Sequence, residues 1–332
     1  MVSLDDVPAH LKTLFDPATC TRKGLCPVTH IRKQDHDPLE SHSLYFEIHG
    51  KGPEKVLFIM GMNTPCFSWS PQVDHFGKSP KYTVLVFDNR GVGNSDSPRG
   101  PYSTSQMAED VVVLLDFVGW KEERSVHLVG CSLGGMISQE LAYKIPERFI
   151  SLSLAVTTPG GTRPFTNFPS WEALKLLYKV TVEPDLEKRI PYILSMGFPA
   201  KWLEEKVEGD PDGRTNREVQ TELYKRRMAV TRKQTPGGAL SQMLAALTHY
   251  VSCERLHHIS RSIPKVFIVT GDEDMMVSTK HSDRIKDCMP EAEFYRFKGT
   301  GHGVHAQYVR QFNELLEKTW EDGKSRLENS KQ

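Results

Sequence analysis

Residues 125–137 read Ser-Val-His-Leu-Val-Gly-Cys-Ser-Leu-Gly-Gly-Met-Ile. The apolar run Ser125–Val129 predicts a short strand, and Leu133–Ile145, stopped by Pro146, predicts a helix. Between them Gly130-Cys131-Ser132-Leu133-Gly134 is a G-x-S-x-G turn in the strand-to-helix setting where that motif presents a nucleophile. The reason is steric. A sharp turn lifts the Ser132 hydroxyl above the sheet edge, and a Cβ at Gly130 or Gly134 would collide with a crossing strand or helix. Gly135 lets the helix lie close to the sheet, and the helix N-terminus turns free N–H groups toward the site. Cys131 points away on such a turn and reads as packing.

Outward from this stretch, strand-like runs alternate with helical patterns. Leu44–Ile48, Lys55–Met60, Tyr82–Phe87, Ser151–Val156, Lys265–Thr270 and Glu293–Phe297 are strand candidates. Several are apolar without alternation, as expected for strands covered on both faces in a parallel sheet. Met107, Val111, Leu114, Leu115 and Val118 recur at helical spacing, and Ser103 with Gln106 forms a capping box at the start. Further helices are expected near 279–287 and 304–319. The order predicts an α/β fold with an open, mostly parallel, doubly wound sheet.

From about Gly161 to Ile263 the rhythm breaks. No strong strand appears, and amphipathic segments carry Phe165, Phe168, Trp171, Leu174, Leu177, Tyr178, Tyr192, Met196, Phe198 and Trp202. The expected organisation is an N-terminal arm at 1–41, a core at 42–160 and 264–320, an inserted helical cap at 161–263, and a frayed polar tail at 321–332.

A serine needs a base, and the base needs an orienting acid. Lys265–Thr270 ends in Gly271-Asp272-Glu273-Asp274-Met275-Met276-Val277, and the last strand leads into Gly299-Thr300-Gly301-His302-Gly303-Val304-His305. Both loops follow carboxyl ends of parallel strands, the edge on which Ser132 sits and where open α/β sheets bind ligands. The chain order Ser, acid, His matches the motif's expectation. Asp274 is favoured over Asp272, which sits one residue past Gly271 and shapes or caps the turn; Glu273 ranks last. His302, between two glycines, is favoured over His305. His302 and His305 lack a nearby partner at zinc spacing, so no metal site is expected.

These residues resemble the α/β-hydrolase superfamily over about residues 42–318. Phe87-Asp-Asn-Arg-Gly-Val-Gly-Asn-Ser95 is similar to its D-x-R-G-x-G-x-S turn, Ser125–Gly135 to its nucleophile elbow, and the 271–274 and 301–302 loops to its acid and base loops. Asp-Asn-Arg-Gly with Gly-Cys-Ser-Leu-Gly-Gly-Met-Ile is similar to the capped enol-lactonases and small carboxylesterases. The resemblance implies an oxyanion hole made by the backbone N–H groups of Met62 and Leu133. One departure concerns that loop: many relatives carry His-Gly after the third strand, whereas this chain has Met60-Gly61-Met62-Asn63.

The leading expectation is a serine hydrolase of a carboxylic ester, lactone or thioester, with Ser132 as nucleophile, His302 as base and Asp274 as orienting acid. Serine at the elbow argues against epoxide hydrolases and haloalkane dehalogenases, whose covalent step uses a carboxylate. A hydroxynitrile lyase, a cofactor-free peroxidase or a slow ligand receptor could use the same residues. No cofactor is implied. Met60, Met62, Phe67 and Trp69, with the aromatic cap, predict a mostly apolar pocket for a small to medium acyl substrate. Met60, Trp69, Trp171 and Trp202 are candidate lining residues, although each would also serve to bury the cap against the sheet.

Composition bounds the alternatives. The 332 residues carry 42 Lys+Arg against 42 Asp+Glu, and a zero balance disfavours nucleic-acid binding. No run approaches the roughly 20 apolar residues of a membrane span, and Met1–Pro8 lacks a secretory pattern. Cysteines 20, 26, 66, 131, 253 and 288 are scattered, which predicts reduced thiols in a cytoplasmic protein.

Overall fold

The computed structural model describes residues 12–30, 40–162 and 166–329. Among these residues eight strands form one sheet: β1 (Cys20–His30), β2 (Glu40–His49), β3 (Glu54–Ile59), β4 (Tyr82–Phe87), β5 (Val126–Cys131), β6 (Phe149–Ala155), β7 (Lys265–Gly271) and β8 (Glu293–Phe297). Their order across the sheet is β1-β2-β4-β3-β5-β6-β7-β8. The first two pairings are antiparallel and all later ones parallel.

The α-helices of the described residues are, in chain order, α1 (Ser70–Phe76), α2 (Thr104–Val118), α3 (Leu133–Lys144), α4 (Trp171–Val182), α5 (Leu186–Gly197), α6 (Ala200–Glu204), α7 (Asn216–Val230), α8 (Pro236–Leu247), α9 (Cys253–Ser262), α10 (Thr279–Cys288), α11 (Val304–Gln307) and α12 (Val309–Asn329). α2 starts at the capping box formed by Ser103 and Gln106.

The unbroken apolar strands have a direct cause. Along β3, Leu57 and Ile59 enter a cluster with Leu114, Ile137, Leu256 and Ile285, while Val56 and Phe58 enter another with Phe76, Leu316 and Trp320. One cluster carries α2, α3, α9 and α10; the other carries α1 and α12. With both faces covered by helices, every strand position gains from being apolar. The expected doubly wound, mostly parallel sheet is therefore present.

Four expectations change. Residues 20–30 are not part of an arm but form the edge strand β1, with Cys26 and Val28 fully buried. Pro27 between them reads as a break, yet an edge position tolerates a residue that cannot donate to a ladder. The chain from 321 is not frayed: α12 continues to Asn329, Gly323 is buried, and Asp322 meets the Lys265 ammonium at 2.7 Å. α9 lies within the expected cap boundaries, but its Leu256 and Ile259 belong to the main core.

The fourth concerns the thiols, which are not all reduced. Cys253, the first residue of α9, is disulfide-bonded to Cys288, the last of α10, with Cα atoms 5.1 Å apart. Packing of two helices 35 residues apart in sequence brings them together, so spacing alone carries no sign of it. Cys20, Cys26, Cys66 and Cys131 remain free.

The remaining expected arm residues 1–11 and 31–39, and Phe165, lie outside the described residues. No described helix is long and apolar enough to cross a membrane.

Candidate active site

β5 delivers Ser132 to the carboxyl edge of the sheet, where it adopts φ 57°, ψ −120° immediately before α3. A non-glycine residue held there costs on the order of 1–3 kcal/mol and persists only when its surroundings over-determine it. They do. The Ser132 N–H donates to the Ala155 carbonyl on β6 at 2.9 Å, and the Ser132 carbonyl accepts from Thr157 Oγ1 at 2.7 Å and from the Met136 N–H at 3.1 Å. The glycine after it is equally constrained: a Cβ on Gly134 would lie 2.1 Å from the Ile59 carbonyl oxygen.

Strand register brings the Met60–Asn63 loop to the serine. Ile59 pairs with Gly130, so two residues on, Gly61 stands beside Ser132. A Cβ on Gly61 would be 3.1 Å from Ser132 Cβ and 3.6 Å from its Oγ. Leu133 is the first residue of α3, where N–H groups have no intrahelical acceptor.

The acid and base meet across the ends of β7 and β8. His302 Nδ1 lies 2.7 Å from Asp274 Oδ2, and Asp274 Oδ1 accepts from the N–H groups of Met276 and Val277, both at 2.9 Å. The Asp274 side chain is fully buried, while that of His302 is 18% exposed, so one face of the imidazole is anchored and the ring still reaches solvent. Asp272 is exposed and accepts from the Thr300 N–H at 3.2 Å, which ties the acid loop to the base loop. Asp274, not Asp272 or Glu273, therefore orients the imidazole.

His305 plays a different part. It is buried with its ring 4.8 Å from that of Trp69, and burial, aided by the positive charge of Arg227, pushes its pKa down to about 3. Cys131 is buried as well, which raises its thiol to about 12 with a contribution from Asp274. It stays protonated and packs.

Two candidate lining residues move elsewhere. Trp69 is wholly buried in the core between Phe58, His305 and Phe312, because the helical turn Cys66–Trp69 directs it beneath the sheet edge. Trp171 is 67% exposed at the start of α4, with the Lys175 ammonium over its ring. Met60 is buried at the loop beside Ser132, and its carbonyl accepts from Asn89 Nδ2 at 2.9 Å. Trp202 stacks on Phe198 with ring centroids 4.8 Å apart. Phe198 in turn touches the base loop: a Cβ on Gly303 would fall 2.5 Å from its ring, and the Gly303 N–H donates to the Gly197 carbonyl at 2.7 Å.

A family model described as the alpha/beta hydrolase fold matches residues 54–307. The chain belongs to the α/β hydrolase fold family. A protein of Azorhizobium caulinodans, named as a carbamate hydrolase, RutD, is 36% identical over 276 residues, covering 82% of this chain and 93% of that one. Among solved structures, a thermophilic esterase of Thermogutta terrifontis superposes with a TM-score of 0.66 at 19% identity, covering 91% of this chain and 99% of the other. The enol-lactonase of Burkholderia xenovorans gives 0.65 at 19% identity, with 84% and 96% covered. The α/β hydrolase fold is thus shared with an esterase and an enol-lactonase.

Several residues that shape this α/β hydrolase site carry no sequence signal. Gln242 on α8 is fully buried; its Oε1 accepts from the Asn63 N–H and its Nε2 donates to the Arg90 carbonyl, both at 2.7 Å. Gln234 Nε2 reaches Asn63 Oδ1 at 2.8 Å and the Gly91 carbonyl at 2.9 Å. Both glutamines lie in the insertion, Gln234 just ahead of α8 and Gln242 within it, where polar residues ordinarily face water. Asn89, which braces the Met60 carbonyl, sits in the Asp-Asn-Arg-Gly turn.

Proposed function

We propose that the protein is a serine hydrolase that cleaves a carboxylic ester, a lactone or a thioester through an acyl-enzyme. The observation that carries this reading is the 2.7 Å contact between His302 Nδ1 and Asp274 Oδ2 at the edge where Ser132 is held at positive φ. Asp274 occupies the Nδ1 side of the imidazole, which leaves Nε2 to take the Ser132 hydroxyl proton. The freed oxygen attacks the substrate carbonyl. The oxyanion is stabilised by the N–H groups of Met62 and Leu133, each worth on the order of 10²–10³ in rate. His302 then protonates the leaving group, and water, deprotonated by the same imidazole, releases the acid.

The relative named as a carbamate hydrolase supports adding a carbamate to the panel of acyl compounds, because its carbonyl would pass through the same tetrahedral stage. The substrate would be small to medium, with apolar surface supplied by Met60 and the insertion. The test is turnover of p-nitrophenyl esters of graded chain length, a lactone, a thioester and a carbamate by the parent protein and Ser132→Ala. Turnover that vanishes in Ser132→Ala is expected. A folded parent that turns over none of them overturns the reading.

A further inference from the structure

The first two strands bring together a thiol, a carboxylate and an imidazole outside the candidate active site. Cys20, the first residue of β1, pairs across the ladder with His49, the last of β2, and Glu47 lies two residues before His49 on the same face of its strand. In the sheet, β2, β4 and β3 separate β1 from β5, which carries Ser132. Cys20 Sγ, a Glu47 carboxylate oxygen and a His49 ring nitrogen all lie within 4.8 Å of one another, and His49 Nε2 is 3.2 Å from Glu47 Oε2. Glu47 and His49 are fully buried, whereas Cys20 is half-exposed, so the group can be reached from solvent past the thiol.

Neighbouring groups hold these side chains in the way that outer contacts orient metal ligands. The Tyr45 hydroxyl donates to Glu47 Oε1 at 2.5 Å and the Thr13 hydroxyl to Oε2 at 2.9 Å, which fixes the carboxylate. Thr19 Oγ1 lies 2.8 Å from His49 Nδ1 and 2.9 Å from the Asp16 carbonyl. That hydroxyl can donate to the carbonyl while it accepts from Nδ1–H, and in this tautomer the Nε2 lone pair is free for a cation. The Phe15 ring packs edge-on against the imidazole, with centroids 4.9 Å apart. A fully buried carboxylate is costly without a positive partner. A protonated His49 is one such partner, and a divalent ion is the other that this donor set accommodates.

We propose that Cys20, Glu47 and His49 form a zinc site. Thiolate sulfur, imidazole nitrogen and carboxylate oxygen are the ligand types of that ion, and a water completes the tetrahedron. Zinc bonds of about 2.0–2.3 Å place tetrahedral donors roughly 3.3–3.8 Å apart, so Cys20 Sγ has on the order of 1 Å to close. Binding releases the thiol proton to solvent, and the imidazole keeps its proton on Nδ1. The ion clips β1, and the Thr13–Thr19 stretch that leads into it, to β2. The site stands apart from the hydrolase reading and does not depend on it.

The experiment takes the full-length chain without an affinity tag, strips it with a chelator and titrates it with zinc or cobalt(II) alone. The parent should retain about one equivalent of zinc after dialysis and gain several degrees in Tm. Cobalt(II) should give the visible bands of a tetrahedral site and a near-ultraviolet charge-transfer band from a thiolate. In Cys20→Ser that band should vanish and zinc affinity should fall by about 10-fold or more, while the Tm without metal stays close to the parent's because the side chain is half-exposed. Glu47→Gln, close in shape, should weaken zinc in the same way; if it fails to fold, Cys20→Ser decides. A parent that retains no zinc and shows no metal-dependent rise in Tm overturns the proposal and leaves Glu47 paired with an imidazolium. Zinc held equally by Cys20→Ser, or cobalt bound without a thiolate band, marks adventitious binding and overturns it as well.

Discussion

Gln242→Leu removes the brace of the loop that carries Met62 while keeping the side-chain volume. The glutamine is fully buried and makes two hydrogen bonds of 2.7 Å, one from the Asn63 N–H and one to the Arg90 carbonyl. Asn63 itself sits at φ 55°, a conformation that neighbouring contacts must hold. Leucine leaves the buried Arg90 carbonyl unpaired, at about 1–3 kcal/mol, while the N–H of exposed Asn63 can turn to water, so a stability loss of roughly 1–3 kcal/mol is expected. The consequence for chemistry is separate. If Asn63 relaxes, the Met62 N–H leaves its position, and loss of one oxyanion donor lowers kcat on the order of 10²–10³-fold. Urea unfolding gives the first quantity, and kcat and KM on a p-nitrophenyl ester at low temperature give the second. The expected pattern is a fall in kcat with KM within about threefold. Leu316→Ala, a buried truncation on α12, should cost about 2–5 kcal/mol without that fall. A Gln242→Leu protein with lowered stability and unchanged kcat, or a Leu316→Ala protein with the same loss of kcat, would refute the positioning role.

Two further outcomes are expected. Glu54 is held near a pKa of about 2 by the His127 imidazole 3.7 Å away and by the hydrogen-bonded Lys324 ammonium, despite an opposing effect of burial. Because the folded value lies below the ordinary 4.5, its contribution is present above pH 4.5 and is lost as pH falls toward 2. Urea midpoints against pH should therefore fall less steeply in this window for Glu54→Gln than for the parent; parallel curves would contradict the linkage. For the disulfide, denatured protein should titrate four thiols without reductant and six with it. A bridge closing a loop of this length contributes about 3–4 kcal/mol in the chain-entropy account, so Cys253→Ser with Cys288→Ser should lower Tm by several degrees. Six thiols without reductant, or an unchanged Tm, would remove the bridge from the account.

Much of the site could be read locally because its steric demands are local. Gly130, Gly134 and Gly135 around Ser132, and Gly301 and Gly303 around His302, mark places where backbone or a packed side chain lies too close for a Cβ, and such constraints leave a trace within a few residues. The choice of Asp274 over Asp272 also had a local cause, since Asp274 Oδ1 accepts from the N–H groups two and three residues ahead. The apolar runs of β3, β4 and β7 announced a sheet covered on both faces.

What sequence order could not supply depends on register and on helices meeting across long separations. β1 was hidden because only Cys26 and Val28 face the core, with Pro27 between them. Trp69 and Trp171 have the same chemistry and similar neighbours, yet one is wholly buried and the other largely in water, since their helices turn to opposite environments. Cys253 meets Cys288, and Gln242 meets Asn63, only once the insertion has folded. The sequence by itself determined the parallel sheet, the serine turn and the acid–base order, because each is written in the steric needs of a few consecutive residues. Tertiary structure alone decided the edge strand, the bridge and the brace on the Met62 loop, because partners such as Cys253–Cys288 and Asn63–Gln242, 35 and 179 residues apart, leave no mark on one another's neighbours in the chain.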